Sequence, residues 1–276
     1  MNPDLNALMA HTDQMMAGQI HAPAGYRGRV HVGVDLGTAY TVVVVLDENY
    51  HPIAGTYQFA QVVRDGLVVD FAGATALLRK LKGQIEAQLG FELTSAASGY
   101  PPGVPLAEVR ATAYVLESAG LNCTGLLDEP TAANNVLQIR DGAIVDVGGG
   151  TTGVAIFQDG KEIYTADEPT GGTHFSLVIA GAKDIRFEAA EEMKKDPRQQ
   201  TALFPVIRPV MEKVGAIARR HTQGYNVDTL YLVGGTANFP RIAEVVQEYT
   251  GIHTVIPASP LFITPLGIAM HNSPDN

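Results

Sequence analysis

Two short segments of the sequence place an aspartate just before a glycine turn and a threonine. Residues 33–41 read Gly-Val-Asp-Leu-Gly-Thr-Ala-Tyr-Thr, and residues 144–152 read Ile-Val-Asp-Val-Gly-Gly-Gly-Thr-Thr. A turn without bulky side chains lets backbone N–H groups approach phosphate oxygens, and the threonine adds a hydroxyl. Asp35 and Asp146 would repel phosphate, but they could hold the water molecules of a hydrated Mg²⁺ ion. One such turn is common in hairpins, so the prediction of a phosphate clamp rests on the pair.

The strands and helices predicted around these segments occur in two similar series. In the first half we predict strands over 30–35, 41–46, 53–60, 94–98 and 125–128, and helices over 74–89, 105–119 and 130–139. In the second half we predict strands over 143–147, 152–157, 163–166 and 229–233, and helices over 173–182, 185–195, 199–221, 239–249 and 264–271. A weak repeat with a period of about 110 residues predicts two similar α/β domains that face each other.

Composition excludes several classes of protein. The chain has 276 residues, a formal net charge of −10 and a pI near 5.2, and no cluster of lysine and arginine suggests a nucleic-acid surface. Cys123 is the only cysteine, so no internal disulfide can form, which fits a reducing cytoplasm. The longest strongly apolar run, residues 42–46, is too short to span a bilayer, and the first residues lack the pattern of a secretory signal.

The first twenty residues predict a short amphipathic helix. Apolar side chains recur at roughly helical spacing over residues 4–20, Pro3 suits a first helical turn, and residues 21–28 have the composition of a linker. Three interpretations remain open: the helix docks on its own domain, it is an encapsulation-type tag bound by a shell or cargo helix, or it lies on a membrane. Asp4 and Asp13 on its polar face, with no lysine or arginine, argue against anionic lipid.

Five motifs in a fixed order carry a resemblance to the actin-like ATPase superfamily, in wording closest to the DnaK-type chaperones and the bacterial actin MreB. They are residues 32–41 and 146–151 for the two phosphate motifs, 129–133 (Glu-Pro-Thr-Ala-Ala) and 265–269 for the two connecting motifs, and 232–240 for the adenosine motif. The resemblance implies two actin-like (ribonuclease-H-like) domains with a nucleotide cleft between them. It places domain I at 26–138 plus 257–276 and domain II at 139–256, preceded by the helix and linker of residues 1–25.

The same resemblance implies ATP and Mg²⁺ as cofactors and gives each candidate residue a role. Asp35 and Asp146 are implied to hold hydrated Mg²⁺, and Glu129 to orient or deprotonate the attacking water. Asp146 is also implied to be catalytic. The residues implied to hold phosphates are Gly37, Thr38, Ala39, Tyr40, Gly148, Gly149, Gly150, Thr151, Gly171 and Gly172. Those implied to hold adenosine are Glu191, Lys194, Gly234, Gly235, Thr236 and Asn238.

The chain resembles the EutJ family of ethanolamine-utilisation proteins. The features that carry this resemblance are its compact length, the sequence of residues 129–134 and the helix that precedes the first domain. That resemblance implies a chaperone-like cytoplasmic protein associated with a bacterial microcompartment, whose partner is ethanolamine ammonia-lyase or a microcompartment component. It implies no nucleic-acid partner and no membrane. Two alternatives stay open: a filament-forming bacterial actin homologue, and a nucleotide-binding scaffold without turnover. A small-molecule kinase of the same superfamily ranks last, since the first domain has no insertion long enough for a substrate pocket.

The sequence departs from the DnaK-type chaperones in three places. It ends soon after the ATPase motifs, so we expect no peptide-binding domain of their kind. Gly153 stands where the chaperones have an ion-coordinating aspartate, and no lysine lies in a motif that matches their phosphate-binding lysine. Since charge-stabilising groups matter most in the transition state, these departures predict a weak ATPase.

Overall fold

A computed structural model describes residues 3–20, 25–64 and 66–271. Its helices are α1 (Pro3–Met16), α2 (Phe71–Leu89), α3 (Leu106–Ser118), α4 (Glu129–Leu137), α5 (Gly172–Lys183), α6 (Phe187–Lys195), α7 (Pro197–Thr222), α8 (Ile242–Thr250) and α9 (Pro260–His271). Its strands are β1 (Val30–Leu36), β2 (Tyr40–Asp47), β3 (Pro52–Phe59), β4 (Val63–Arg64), β5 (Leu67–Val68), β6 (Ser95–Tyr100), β7 (Asn122–Asp128), β8 (Gly142–Val147), β9 (Thr152–Gln158), β10 (Lys161–Glu168), β11 (Thr229–Val233) and β12 (His253–Val255). Residues 21–24 of the predicted linker lie outside the described residues.

Two five-stranded sheets repeat one topology. The strand order is β3-β2-β1-β6-β7 in the first sheet and β10-β9-β8-β11-β12 in the second. In each sheet three strands form an antiparallel meander. A fourth strand, β6 or β11, pairs in parallel with β1 or β8, and a fifth, β7 or β12, pairs in parallel with the fourth. The predicted α/β class with two similar halves is confirmed, and we call the halves lobe I and lobe II.

Strand β2 shows why the apolar runs are continuous rather than alternating. Successive side chains of a strand point to opposite faces of the sheet. Val43 and Val45 join a buried cluster with α2 and α3, while Val42, Val44 and Leu46 join a second buried cluster with α9. Both faces of the sheet are therefore covered, and each lobe is a sheet between helices.

Helices α4 and α9 cross between the lobes. A Cβ atom added at Gly267 would lie 1.7 Å from the carbonyl oxygen of Ala132, so glycine lets the two backbones touch. The Asn135 side chain donates a hydrogen bond of 3.0 Å to the Gly267 carbonyl. On the other side of α9, a Cβ at Gly33 would lie 2.5 Å from the carbonyl oxygen of Pro265. The two connecting motifs thus pack as one tight crossing beneath the cleft.

Helix α1 docks on the body of the protein. Met9 is fully buried, and it shares the cluster of β2 and α9 with Leu5. The His11 ring nitrogen Nε2 lies 2.9 Å from the Pro52 carbonyl at the start of β3, and the Ser259 hydroxyl donates to Asp13. The docked arrangement is the first of the three interpretations given above. Among the described residues no helix is both long and apolar enough to cross a bilayer.

The structure corrects several predicted boundaries and adds short strands. The hairpin β4–β5 and the strand β12 were not predicted, because runs of two or three residues carry too little periodicity. Helix α8 begins at Ile242 instead of residue 239, since residues 235–238 form a 3₁₀ turn and Arg241 adopts a left-handed φ of 70°. Helix α9 begins at Pro260, four residues before the predicted start, and runs through Pro265.

Candidate functional site

The two predicted phosphate turns have matching geometry. The Gly37 N–H donates to the Tyr40 carbonyl at 3.0 Å, and the Gly148 N–H donates to the Thr151 carbonyl at 3.0 Å. Each bond closes a two-residue turn between antiparallel strands, β1–β2 in lobe I and β8–β9 in lobe II. A Cβ added at Gly149 would lie 2.8 Å from the Cβ of Ala39, so the tips of the two turns face each other at contact distance.

The second turn is braced from behind by lobe II. The Gly148 carbonyl accepts hydrogen bonds from the Gly172 N–H at 3.0 Å and the Thr236 hydroxyl at 2.7 Å. The Gly149 carbonyl accepts from the Thr173 N–H at 2.7 Å. A Cβ at Gly171 would lie 2.6 Å from the Gly148 carbonyl oxygen, which explains the glycine. Because these carbonyls are engaged at the back, the turn is held in one orientation.

A cavity of about 290 Å³ lies between the lobes, and the predicted site residues surround it. Those that line it are Asp35, Gly37, Thr38, Ala39, Tyr40, Glu129, Asp146, Gly148, Gly149, Gly150, Thr151, Gly172, Glu191, Lys194, Gly234, Gly235, Thr236 and Asn238. Gly171 is the exception, since it packs behind the second turn rather than against the cavity. Five of the lining residues not predicted from the sequence are Lys195, Gln200, Phe239, Leu261 and Thr264.

Three carboxylates meet at the base of this cavity; Asp146 is buried, and Asp35 and Glu129 are half-buried. Asp35 and Asp146 lie at the ends of β1 and β8, and Glu129 is the first residue of α4. Burial raises the pKa of Asp35 to about 7, and the charge of Asp146 adds to the rise. Burial also raises the pKa of Asp146 to about 6, against the lowering effect of the 2.7 Å hydrogen bond from the Thr264 hydroxyl. The pKa of Glu129 is raised well above its usual value, first by burial and then by the charges of Asp35 and Asp146.

This arrangement fits a hydrated divalent cation. Three carboxylates close together and largely shielded from solvent repel one another when ionised, and a cation would favour their ionised forms. In the described part of the chain no group of three or more ligating side chains is placed for direct metal coordination. That Asp35 and Asp146 would hold a cation through its bound water stays a prediction.

Glu191 and Lys194 form a prearranged wall of the cavity. The Lys194 ammonium donates to the Glu191 carboxylate at 2.7 Å and to the Gly172 carbonyl at 2.9 Å, while the Ser176 hydroxyl donates to the same carboxylate at 2.5 Å. Burial would raise the pKa of Glu191, but Lys194 and Ser176 outweigh it and hold the pKa below its usual value. The pair is fixed by these contacts within lobe II alone.

The adenosine motif packs against Asp146 at the bottom of the cavity. Gly234 has a left-handed φ of 87°, and a Cβ there would lie 2.3 Å from an Asp146 carboxylate oxygen. Its N–H donates to the Pro260 carbonyl at 2.9 Å, at the start of α9. Thr264, one turn further along α9, bonds to Asp146 and was missed because it precedes the recognised motif by one residue. No sequence pattern marks it, because the hydrogen bond depends on how α9 packs.

Comparison with protein families gives two assignments. The family model for type IV pilus assembly protein PilM matches residues 111–264. The ethanolamine utilisation protein EutJ of Escherichia coli K12 is 39% identical over 270 residues, covering 95% of each chain. EutJ of Salmonella typhimurium LT2 is 43% identical over 248 residues, 90% of this chain and 87% of the relative. A chaperone HscA homologue of Pseudomonas aeruginosa is 26% identical across 81% of this chain but only 42% of its own length.

Solved structures show the same fold. EutJ from Carboxydothermus hydrogenoformans superposes with a TM-score of 0.91 at 43% identity, covering 97% of this chain and 98% of that one. The PilM–PilN pilus biogenesis complex gives 0.74 at 15% identity, with 88% and 98% covered. MreB5 of Spiroplasma citri bound to AMPPNP gives 0.69 at 16% identity, with 88% and 95% covered. At these last two identities the likeness concerns the fold alone.

The paired turns, the carboxylates between them and the match along nearly the whole chain agree with one another. The chain belongs to the EutJ family of actin-like ethanolamine utilisation proteins, and through residues 111–264 it also belongs to the family described by the PilM model.

Proposed function

We propose that the protein binds Mg-ATP in the cleft between its lobes and reports the nucleotide state to a protein partner. The observation that carries this proposal is the pair of matched turns, one from each lobe, which face each other beside three carboxylates that line the same cavity. Backbone N–H groups at glycine turns suit phosphate oxygens, and two turns from two lobes would grip a polyphosphate from both sides. The AMPPNP-bound MreB5 structure, with the same fold, supports a nucleotide as the ligand.

In this proposal each lining residue has one task. Asp35 and Asp146 hold the waters of Mg²⁺, and the ion when bound neutralises phosphate charge. Glu129 orients or deprotonates the attacking water, because a carboxylate whose pKa is raised by burial and by neighbouring carboxylates is a stronger base than an ordinary glutamate. The turn residues hold the phosphates, and the Glu191–Lys194 wall with residues 234–238 holds adenosine.

We further propose that the two lobes are domains that move about the α4–α9 crossing. Domain I would comprise residues 26–138 and 257–276, and domain II residues 139–256. A tight glycine crossing with well-packed sheets on both sides favours rotation of rigid bodies over deformation within them. Such closure would change the surface shared by the lobes, which is how nucleotide state reaches a partner.

The proposed partner is ethanolamine ammonia-lyase or a component of the microcompartment, and the proposed role is chaperone-like, in the cytoplasm. The names of the EutJ relatives support the pathway, and the similarity to HscA supports the chaperone class. The PilM–PilN complex supports a protein as partner for this fold. Capture from cells that carry the ethanolamine operon, with Mg-ATP or Mg-ADP present, should recover the partner in one nucleotide state and not the other.

A second candidate is a nucleotide-dependent filament, favoured by the likeness to MreB5. Light scattering with Mg-ATP separates the two: a rise that sediments with the protein supports a filament, and unchanged scattering supports the nucleotide-gated binder.

Thermal unfolding tests the nucleotide proposal. A ligand at a hundredfold excess over its Kd stabilises the folded state by about 2.7 kcal/mol, so Mg-ATP should raise the midpoint and GTP should raise it less. Asp146→Asn should lose the part of the shift that depends on Mg²⁺. No shift at millimolar Mg-ATP in folded protein would reject the proposal.

A further inference from the structure

Lys195 crosses the mouth of the cleft from lobe II to an aromatic platform on lobe I. Its ammonium nitrogen lies 4.2 Å from the centroid of the Phe59 ring and 5.6 Å from that of Tyr40. Both distances are within the range at which a cation is attracted to an aromatic face. Lys195 is the last residue of α6, whereas Tyr40 begins β2 and Phe59 ends β3. The contact therefore joins the two lobes directly.

The rings that meet Lys195 are fixed within lobe I. Tyr40 packs edge to face on Phe59 with centroids 5.7 Å apart, and on Tyr57 at 5.7 Å. Tyr57 in turn packs on Phe262 of α9 at 5.6 Å. A platform anchored in two strands and a helix moves with its lobe, so separation of the lobes must break the contact with Lys195.

Lys195 is held and partly dehydrated on its own side. Its ammonium lies 3.5 Å from Glu191 and 3.6 Å from Glu192, and its side chain is 31% exposed. Neighbouring Lys194 is committed to Glu191 and Gly172 within lobe II. Of these two adjacent cations, Lys195 is the one that reaches the other lobe.

We propose that Lys195, Tyr40 and Phe59 form a latch that holds the cleft closed over bound nucleotide and limits its rate of release. The latch rests on the proposed nucleotide function. Lys195 and Tyr40 line the cavity, but Phe59 is not among the lining residues, so it lies behind the contact. A ligand leaves a closed cleft only when the lobes part, and a contact made in the closed state alone slows that opening.

The size of the effect follows from the contact. A partly dehydrated cation–aromatic contact corresponds to about 5–30-fold in an equilibrium or rate, intermediate between exposed and fully buried cases. Phe59→Leu keeps an apolar side chain but removes the ring, and Lys195→Met keeps the stem but removes the charge. Each should accelerate release by this factor.

The test is stopped-flow release of a fluorescent ATP analogue from the full chain, chased by excess unlabelled Mg-ATP. The matched controls are Phe71→Leu and Lys183→Met, exposed residues outside the cavity, which should release at the wild-type rate. Lys195→Arg should retain slow release because it keeps the cation. The double variant Phe59→Leu/Lys195→Met should release no faster than the faster single variant, since both changes remove one contact.

The outcomes separate the latch from the nucleotide proposal. Acceleration by Lys195→Met alone, with Phe59→Leu unchanged, would make Lys195 a direct ligand contact and overturn the latch. Multiplicative effects in the double variant would also overturn it. If the wild-type chain binds and all variants release alike, only the latch fails. If the folded wild type binds no analogue at all, the nucleotide proposal fails and the latch fails with it.

Discussion

Glu129, Asp35 and Asp146 converge because each terminates or begins an element that points at the cleft. Asp35 and Asp146 end equivalent strands of the two lobes, and Glu129 follows β7 directly as the first residue of α4. The α4 start is capped by Asp128, whose side chain accepts a 3.1 Å hydrogen bond from the Thr131 N–H. That cap fixes the helix start, and with it the position of the Glu129 carboxylate.

We expect slow hydrolysis that depends on Glu129. No lysine lies in a sequence motif that matches the chaperones' phosphate-binding lysine, and Gly153, packed against Pro130, stands where they have an aspartate. Single-turnover hydrolysis of bound ATP should therefore run well below the ~10 s⁻¹ typical of enzymes. Glu129→Gln should bind ATP normally and lower this rate by about 10²–10⁴, the usual effect of removing a positioned base. Asp146→Asn should instead weaken the metal-dependent part of binding. Hydrolysis by Glu129→Gln at the wild-type rate would show that another group activates the water.

The raised carboxylate pKa values predict an unusual pH dependence of stability. A pKa of about 7 for Asp35, against 3.8 for an ordinary aspartate, means that the folded state holds this proton more tightly than the unfolded state does. The free energy of unfolding of the metal-free protein should therefore fall as the pH rises from about 4 to about 7, by a few kcal/mol at most. Stabilisation by Mg-ATP should grow over the same range, because binding releases protons.

Denaturant titrations between pH 5 and pH 8 measure this dependence. Asp35→Asn mimics the protonated carboxyl and should flatten the slope, whereas Asp228→Asn changes the charge equally at an exposed position and should leave the slope unchanged. Equal slopes in wild type and Asp35→Asn would contradict the assigned pKa of Asp35.

The sequence predicted which motif residues line the cavity, but it did not predict the residues that reach the cavity only through packing. The two turns and the carboxylates are local motifs, so a linear pattern contains them. Lys195 and Leu261 line the same cavity only because α6 and α9 are packed around it, and no short-range pattern records that packing. Gly171 is the opposite example: it belongs to a recognisable motif, but it packs behind the second turn and does not line the cavity.

At the scale of elements, the α4–α9 crossing is the most constrained contact. A methyl group at Gly267 would lie 1.7 Å from the carbonyl oxygen of Ala132. The atoms that it would meet belong to the backbone of α4, so no flexible side chain can move aside. Gly267→Ala should destabilise the protein by about 1–3 kcal/mol or more, because the helices must separate. Gly83→Ala in the middle of α2 meets nothing within 4 Å and should be neutral or stabilise by up to about 1 kcal/mol. Chemical denaturation compares the two, and equal stability would contradict the tight crossing.

The long elements were predictable because burial leaves a periodic pattern in them. The apolar run of β2 correctly predicted a strand, and the two connecting motifs correctly predicted helices α4 and α9. The start of α8 was not predictable, since a left-handed Arg241 after a 3₁₀ turn is chosen by the packing of residues 235–238 against α9 and not by helix propensity. The same holds for β12, three residues long, which is a strand only because β11 lies beside it.

At the scale of the whole molecule, the repeat of one sheet topology accounts for the cleft. Two sheets of equivalent strand order each present a glycine turn, and the tips of the two turns face each other across the cleft. A ligand gripped by both lobes must change their relative position when it binds or leaves. In the proposed function, this change in the relative position of the lobes is what a protein partner would detect.

The measurement that tests the central claim most directly is calorimetric titration of the protein with Mg-ATP. The proposed site predicts saturable binding of one nucleotide per chain. Gly149→Val should abolish it, because the Cβ of the valine would lie 2.8 Å from the Cβ of Ala39 and would force the two turns apart. Gly181→Val, at a helical glycine with nothing within 4 Å, should bind like the wild type. Binding that survives Gly149→Val in folded protein, or no binding by the wild type, would contradict a nucleotide site between the lobes.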